Sequence, residues 1–202
     1  MSFTIDYKDK VVLVTGVSSG IGLGTAIEFA KAGAHVAGCS RKAAGDTCAV
    51  AFRKAVEAEG VRALYRQADV TCPEDLEALV RETVDTFGRI DILVSSAGVN
   101  VFEGAEGCTE ERWQYNLDLN LASHWRLSKL CKPYLEKRGG GGIPLITSHH
   151  SFGTIPRWFS DSATQTAIKG LGRNPANELG PHIRTGGVAP GFFDMAGQHN
   201  RV

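Results

Sequence analysis

The sequence has 202 residues, of which 43% are hydrophobic and 22% charged, the ordinary composition of one folded domain. Lys plus Arg and Asp plus Glu both number 22, so no net charge recruits nucleic acid or an anionic membrane. No apolar run approaches the roughly 20 residues that span a bilayer, and the polar N-terminus lacks a signal-peptide core. The five cysteines have no metal-binding spacing, so we expect a cytoplasmic protein without a metal site.

Apolar runs and helical patterns alternate along the chain. The run 11–14 predicts a strand buried on both faces, and after a glycine-rich turn the segment 21–32 predicts a helix. Further strands are predicted over 35–40, 62–67, 90–96, 143–148 and 183–188, with helices over 46–59, 71–87 and 109–137 and from about 162. This alternation predicts a doubly wound parallel α/β sheet in a single domain, residues 1–202. Its ligand crevice is expected beyond the carboxyl ends of the strands.

The turn after the first strand reads TGVSSGIG over residues 15–22. Glycines let the backbone turn tightly and approach a pyrophosphate, and the following helix directs free N–H groups and its dipole at that anion. Glycine is also needed wherever a helix packs closely on a strand, so the turn alone is weak support for a nucleotide site. Its position inside a strand–turn–helix–strand unit makes dinucleotide binding the favoured interpretation.

Several ordered motifs together resemble the short-chain dehydrogenase/reductase family. They are TGxxxGxG at 15–22, Asp69-Val70, SSAG at 95–98, Asn120 within LDLNLAS, Ser148 ending LITS and Pro190-Gly191. The resemblance covers nearly the whole chain. It implies an oxidoreductase that moves hydride between NAD or NADP and a small alcohol or carbonyl substrate.

The resemblance also implies which residues hold the cofactor. The expected cofactor-binding residues are Gly16, Ser18, Gly20, Ile21, Gly22, Ser40, Arg41, Asp69, Val70, Ser96, Ala97, Gly98, Pro190 and Gly191. The turn at 16–22 would face the pyrophosphate, residues 69–70 the adenine, and Ala97 and Gly98 the ribose.

The end of the second strand predicts the choice of cofactor. A site for NAD places an acidic residue there to bind the ribose 2′-hydroxyl. Here the sequence is Ser40-Arg41-Lys42, and a hydroxyl with two cations suits a 2′-phosphate, which Arg41 could hold with two hydrogen bonds. NADP is therefore favoured over NAD, although a solvated basic turn is the alternative interpretation.

The reaction centre departs from the family pattern. The resemblance places the four catalytic positions at Asn120, Ser148, Asp161 and Gln165, where the last two replace the tyrosine and lysine of Tyr-x-x-x-Lys. A carboxyl group, with an ordinary pKa near ~3.9, has no proton to donate at neutral pH, and its charge opposes a developing oxyanion. His149 and His150 follow Ser148 and could carry protons, but two histidines without a catalytic part are favoured.

The C-terminus is shorter than the resemblance implies. Only 11 residues follow Pro190-Gly191, whereas family members continue through a substrate-covering segment, a helix and a seventh strand. We therefore expect a C-terminally truncated domain that lacks its last strand and exposes a sheet edge.

Three functions remain open from the sequence. The first is an NADP-dependent oxidoreductase in which Asp161 or a histidine takes a new role. The second is a catalytically inactive dinucleotide-binding protein that pairs with itself or with related chains through residues 109–137 and 162–174. The third is a truncated copy without activity. The substrate is not predicted by any of them.

Overall fold

Six parallel strands form one sheet in the part of the chain that the computed structural model describes, residues 5–191 without the Asn174 side chain. The strands are β1 (Val11–Thr15), β2 (His35–Ser40), β3 (Ala63–Gln67), β4 (Ile92–Val94), β5 (Gly141–Ile146) and β6 (Ile183–Val188). Their order across the sheet is β3-β2-β1-β4-β5-β6. The predicted doubly wound α/β fold is confirmed. The predicted lack of a last strand concerns residues 192–202, which lie outside the described residues.

Six α-helices connect and cover the strands within the same residues. They are α1 (Gly20–Lys31), α2 (Thr47–Glu57), α3 (Pro73–Phe87), α4 (Glu110–Leu117), α5 (Ser123–Lys137) and α6 (Phe159–Leu179). Apolar side chains of α1 and α2 pack against one face of the sheet. Those of α3, α5 and α6 pack against the other face. The two separate cores make three layers.

The alternation of side chains along β1 explains why its sequence is apolar throughout. Val12 and Val14 enter the core under α1 and α2, and Leu13 enters the opposite core. All five residues of β1 are buried, because a central parallel strand has a helix layer on both sides. Its apolar sequence thus places β1 at the centre of the sheet.

The region predicted as one helix over 109–137 contains a break. Between α4 and α5 the chain makes a π-helical turn, Asp118–Ala122, in which the N–H of Ser123 donates to the carbonyl of Asp118. Such a turn adds one residue to the helical path and is frequent at functional sites. Asn120 lies inside it, so the break positions one of the predicted catalytic residues.

The glycines and proline near the end of the chain do not shorten α6. This helix continues through Pro175 to Leu179. A Cβ atom on Gly172 would lie 3.2 Å from the backbone nitrogen of Gly187 in β6. Thr185 of β6 donates its hydroxyl to the Gly172 carbonyl at 2.7 Å. Gly172 therefore permits a close contact between helix and strand, which stabilises both.

The chain crosses the sheet between β3 and β4, and this crossover leaves a crevice at the carboxyl ends of β1 and β4. In doubly wound sheets the ligand binds at such a switch point, since the adjacent loops run in opposite directions. The glycine-rich turn after β1 and the SSAG segment after β4 meet there.

Candidate functional site

A cleft of about 1290 Å³ lies along the carboxyl ends of the strands. It is larger than the roughly 300–1,000 Å³ of an ordinary small-molecule pocket, as a dinucleotide and a substrate together require. Its lining includes every predicted cofactor-binding residue: Gly16, Ser18, Gly20, Ile21, Gly22, Ser40, Arg41, Asp69, Val70, Ser96, Ala97, Gly98, Pro190 and Gly191. The structure thus brings residues from most of the length of the chain into one site.

The turn after β1 has a shape that only glycine permits. Gly16 has a φ of 79°, and its backbone N–H donates to the Cys39 carbonyl at 2.9 Å. A Cβ atom on Gly22 would lie 2.4 Å from the Gly16 oxygen, closer than any contact between nonbonded atoms. The turn therefore curls directly onto the start of α1, where Ser19 makes no side-chain cap. This arrangement leaves the first N–H groups of α1 available for an anion.

The turns after β1 and β4 are joined by one side chain. Thr15 accepts hydrogen bonds at its hydroxyl oxygen from the backbone N–H groups of Ser96 and Ala97, at 2.9 and 3.0 Å. A Cβ atom on Gly16 would lie 3.0 Å from the Ala97 Cα, so the two turns are in contact. These two hydrogen bonds and the close contact hold the turns after β1 and β4 together at the floor of the cleft.

Asp69 is oriented by its own loop. One carboxylate oxygen accepts from the backbone N–H and the hydroxyl of Thr71, at 2.9 and 2.8 Å. The Asp69 N–H in turn donates to Asp75 of α3 at 2.8 Å. The second oxygen has no partner among the described residues, and Asp69 lines the cleft beside Val70. A fixed acceptor next to an apolar side chain suits an adenine ring with its amino group.

The turn from Ser40 to Lys42 presents two cations. Arg41 and Lys42 are exposed and line the same end of the cleft as Asp69. The Ser40 hydroxyl contacts the Tyr65 hydroxyl at 2.7 Å and accepts from the Lys42 N–H at 3.2 Å. The Ser40 hydroxyl, which was expected to face a phosphate, therefore makes its hydrogen bonds to Tyr65 and Lys42 instead. Arg41 and Lys42 remain as the groups that could bind a phosphate.

Asn120 belongs to a buried chain of polar side chains. Its amide exchanges two hydrogen bonds with the Val99 backbone, donating at 2.9 Å and accepting at 3.0 Å. It also donates to the Asn116 oxygen at 2.6 Å, and Asn116 donates to the Ser160 hydroxyl at 2.9 Å. Asn120 thus ties α4 and the segment after β4 to the start of α6. Its side chain reaches the wall of the cleft.

Asp161 and Gln165 differ in their access to the cleft. Gln165 is 8% exposed and lines it, whereas Asp161 is 0% exposed and does not. Among the described residues, neither Asp161 oxygen accepts a hydrogen bond of normal geometry, and the Gln165 oxygen has no partner either. Burial raises the pKa of Asp161 to about 6, and the nearby Gln165 side chain opposes this shift only in part. Position 161 thus holds a buried carboxyl group whose charged form is disfavoured by burial.

Three aromatic rings, those of Phe102, His150 and Trp158, pack together at this end of the cleft. His150 stacks on Trp158 with ring centroids 3.9 Å apart, and Phe102 contacts Trp158 edge-on at 4.3 Å. Burial, with the neighbouring His149 as a second cause, lowers the pKa of His150. Ser148 accepts from the His150 N–H at 3.2 Å and lines the cleft, as do both histidines. A neutral, stacked His150 is a poor proton donor at neutral pH.

His124 is a residue of the cleft that sequence reasoning missed. Its ring nitrogen Nδ1 lies 2.7 Å from the hydroxyl of Ser95, at the end of β4, and both side chains are buried. Complete burial lowers the pKa of His124 to about 4, so the ring is neutral. No short motif signals this pair, because its members are 29 residues apart.

Arg157 is a second residue that was missed. It lines the cleft and has a φ of 71°, a conformation that L-residues rarely adopt. The apolar neighbours Phe102, Ile155 and Pro156 line this part of the cleft with it. Arg157 and these apolar residues thus share the end of the cleft away from Arg41 with the polar side chains of Ser148, His149, His150 and Gln165.

Residues 5–191 contain neither a candidate metal cluster nor a membrane-spanning helix. No group of three or more His, Cys, Asp or Glu side chains among them could hold a metal ion. The same residues include no helix that is both long and apolar enough to cross a membrane.

Fold and cleft define a dinucleotide-binding α/β protein of the Rossmann type. Comparison with known proteins identifies the family: the model for short chain dehydrogenases matches residues 10–202, so the chain belongs to the short chain dehydrogenase family. It is 39% identical over 187 residues to the human protein named dehydrogenase/reductase SDR family member 4. That match covers 92% of this chain but 66% of the human protein, so the chain spans just under two thirds of its relative's length.

Two solved structures share the fold. A putative short-chain alcohol dehydrogenase from Sinorhizobium meliloti superposes with a TM-score of 0.91 at 29% identity, covering 98% of this chain and 77% of that one. The carveol dehydrogenase of Mycobacterium avium, in complex with NAD, gives 0.85 at 28% identity, covering 93% and 72%. The chain therefore has the scaffold of the NAD(P)-dependent oxidoreductases of this family.

Proposed function

We propose that the protein binds NADP(H) in its cleft and is a poor catalyst of the family's hydride transfer. The observation that carries the proposal is a contrast in accessibility. Every residue expected to hold the dinucleotide lines the cleft, while the carboxyl group in the tyrosine position is 0% exposed and does not. Bound NADP(H) would supply or accept hydride, so reaction would also require a proton donor or acceptor that reaches the substrate.

The residues present fit a dinucleotide. Gly22 lets the turn curl onto the start of α1, since a Cβ atom there would lie 2.4 Å from the Gly16 oxygen, and the free N–H groups of α1 can hold an anion. The choice of NADP follows from the end of β2, where Arg41 and Lys42 stand and where an NAD site has an acidic residue. A 2′-phosphate gains charge-assisted hydrogen bonds from a guanidinium group, whereas a 2′-hydroxyl gains much less. One structural neighbour is in complex with NAD. The proposed preference of this chain for NADP therefore rests on its own residues Arg41 and Lys42.

The neutral side chain of Gln165 is the second reason for weak catalysis. The lysine expected at this position would bring a positive charge that lowers the pKa of a neighbouring tyrosine. Gln165 brings no charge, and its oxygen lies buried without a partner among the described residues. Asp161 and Gln165, which occupy the two positions of the usual acid–base pair, are therefore both chemically unsuited to carbonyl reduction.

Alcohol oxidation is a second candidate, favoured by one observation. The pKa of Asp161 is raised to about 6, so above that pH the group is an anionic base stronger than an ordinary aspartate. A base accepts the proton of an alcohol while hydride leaves to NADP⁺. Ser148 and Asn120 line the adjacent wall of the cleft. This reaction would require Asp161 to reach the substrate while it stays shielded from water, since exposure to water would remove the burial that raises its pKa.

Pairing of chains is part of the proposal. Trp125 on α5 is 51% exposed, with the Lys129 ammonium group 5.8 Å from its ring centroid. An exposed tryptophan on a long helix suits contact with another copy or a related chain. Size-exclusion chromatography with light scattering, before and after Trp125→Glu, tests this point: a monomer in both cases would contradict it.

The main test is a titration of the purified protein with NADPH and with NADH, following protein fluorescence and the thermal unfolding midpoint. We expect saturable binding and stabilisation by both, with NADPH preferred about tenfold or more. Arg41→Ala should remove most of that preference and leave NADH binding unchanged. Equal affinities in the wild type would overturn the assignment of NADP. Failure to bind either nucleotide, without a cooperative unfolding transition, would instead favour a damaged copy.

Turnover is measured separately with panels of alcohols and carbonyl compounds. We expect no hydride transfer above background in either direction. Oxidation of alcohols by NADP⁺ that increases from pH 5 to 7 and is lost in Asp161→Asn would establish the second candidate. Reduction of carbonyl compounds at rates usual for enzymes would contradict both.

A further inference from the structure

The turn from Ser40 to Lys42 is held in place from β3. Tyr65 of β3 accepts from the Ser40 hydroxyl at 2.7 Å and donates to the Lys42 carbonyl at 2.6 Å. Gln67, two residues further along β3, donates to the Arg41 carbonyl at 3.1 Å. The backbone on both sides of Arg41 is therefore fixed before any ligand arrives.

The Arg41 side chain is held from a different element. Its guanidinium Nη1 donates to the hydroxyl oxygen of Tyr115 on α4 at 3.0 Å, across 74 residues of sequence. Tyr115 is 39% exposed, so this hydroxyl lies at the surface beside the cleft. The contact joins the turn after β2 to α4 at the end of the cleft where Asp69 and Val70 form the wall.

We infer that Tyr115 is a positioning residue for NADP(H) that sets the preference over NAD(H) by holding Arg41 at the 2′-phosphate. This inference rests on the proposed function, since it refines the same site. An arginine has five N–H donors, and the bond to Tyr115 uses one of them. The others are left for a phosphate, and an arginine that is already held loses less freedom when the phosphate binds.

The hydrogen-bond direction adds a second contribution. Because the Tyr115 oxygen accepts from Arg41, its own O–H proton remains to be donated. A phosphate oxygen beside the guanidinium would be a strong, charged acceptor for that proton, whereas the 2′-hydroxyl of NAD is neutral and would gain only an ordinary hydrogen bond. Tyr115 therefore favours the phosphorylated cofactor in two ways, and both depend on its hydroxyl oxygen.

The alternative is a hydrogen bond that merely fastens the turn. In that case its loss would weaken NADPH and NADH alike, since both bind against the same turn. The two roles are distinguished by the ratio of the two dissociation constants, which a change in general stability does not alter.

The experiment compares the full chain with Tyr115→Phe and the matched control Tyr134→Phe. Tyr134 on α5 is half-buried, and its hydroxyl makes no hydrogen bond with the residues that the structure describes. Dissociation constants for NADPH and NADH are measured by fluorescence titration. Those for 2′,5′-ADP and 5′-AMP, which differ only in the 2′-phosphate, are measured by calorimetry.

We expect Tyr115→Phe to weaken NADPH and 2′,5′-ADP about three- to tenfold and to change NADH and 5′-AMP less than about twofold. Tyr134→Phe should leave all four constants unchanged. Equal weakening of all four ligands by Tyr115→Phe, or no change in any, overturns the role of Tyr115. A wild-type protein that binds no NADPH, or binds both cofactors equally, shows instead that the proposed function has failed, and the inference fails with it.

Discussion

The two ends of the cleft differ in how well their buried polar groups are paired. At the dinucleotide end, the Thr15 hydroxyl accepts two backbone N–H groups, and Gly16 and Val17 donate to the Cys39 carbonyl. At the reaction end, buried polar atoms lack partners among the described residues; they belong to His150, Ser151, Asp161 and Gln165. Native proteins keep such atoms few, because each costs free energy of desolvation.

This difference teaches that holding a cofactor and reacting with it depend on separate elements. The dinucleotide end is built by loops after β1, β2 and β3, whose shape is fixed by backbone hydrogen bonds. The reaction end is built by the segment after β5 and the start of α6, where side chains must do the chemistry. Substitutions at the second end therefore leave the first intact, and the following experiments test that separation.

The largest effect is expected from restoring the usual pair. Asp161→Tyr together with Gln165→Lys should raise carbonyl reduction by about 10²–10⁴-fold, because it supplies a positioned acid that reaches further from the same helix position. Oxidation of NADPH with a panel of carbonyl compounds measures the rate. The matched control, Asp161→Phe with Gln165→Lys, lacks the phenol and should stay inactive. No gain in the restored variant, with NADPH binding retained, would show that the reaction end is defective beyond these two positions.

The next effect concerns stability. The folded-state pKa of Asp161 is raised from 3.8 to about 6, so the folded protein binds this proton more tightly than the unfolded chain. The contribution of protonated Asp161 to the free energy of unfolding is therefore present at low pH and is lost as pH rises through about 6. Asp161→Asn removes the buried charge, and we expect it to raise the free energy of unfolding at pH 7.5 by about 3 kcal/mol.

Denaturant unfolding from pH 4 to pH 8 measures this gain. It should shrink toward zero near pH 4, where the wild-type carboxyl is protonated. The matched control is Asp85→Asn on the exposed side of α3, which should change stability little. A gain that does not vary with pH, or a loss of stability at pH 7.5, would disprove an uncompensated charge at position 161.

Damage to the dinucleotide end should have a smaller but clear effect. Gly22→Ala places a Cβ atom 2.4 Å from the Gly16 oxygen, so the turn must open. We expect NADPH binding to weaken by about 2 kcal/mol, or roughly thirtyfold in Kd, as calorimetry can measure. Gly24→Ala, where a Cβ atom meets nothing within 4 Å, is the matched control. It should leave Kd unchanged, and similar behaviour of the two variants would refute the close-approach explanation.

The smallest effect is expected at the pair that joins β4 to α5. Ser95→Ala leaves the buried Nδ1 of His124 without a partner, at a cost of about 1–2 kcal/mol in the free energy of unfolding. The folded-state pKa of His124 is lowered to about 4, so folding favours the neutral ring. The stability that depends on this neutral ring is therefore lost as pH falls from 6.5 toward 4. Thermal unfolding measures the loss, with the exposed Thr166→Ala as control. An unchanged stability would mean that water replaces the serine.

The sequence allowed the fold to be predicted because strand and helix periods alternate so regularly. The apolar run before TGVSSGIG marks a central strand, and glycine spacing indicates the cleft. The bounds were less exact: the fourth strand was predicted over 90–96 and observed at Ile92–Val94. Its last residues leave the ladder, and Ser95 makes only an isolated bridge to Leu145.

The site could be predicted as a set of residues but not as a set of contacts. The proximity of Arg41 to Tyr115, and of Ser95 to His124, depends on elements far apart in sequence. Asp161 lies in the first turn of α6 and is fully buried, and no local sequence pattern encodes that burial. The close contact of Gly172 with β6 likewise depends on the folded chain, since its strand neighbour lies in another element.

The π-helical turn between α4 and α5 has a consequence for insertions and deletions. Asn116 and Asn120 lie before and within it and face the polar interior, while Leu127, Cys131 and Leu135 follow it and face the sheet. The extra residue of the turn changes the angular phase between these two sets. Removing one residue there would rotate α5 by about 100° relative to α4, so its apolar side chains would turn away from the sheet. We therefore expect this segment to tolerate neither insertion nor deletion of a single residue, whereas substitutions leave its length unchanged.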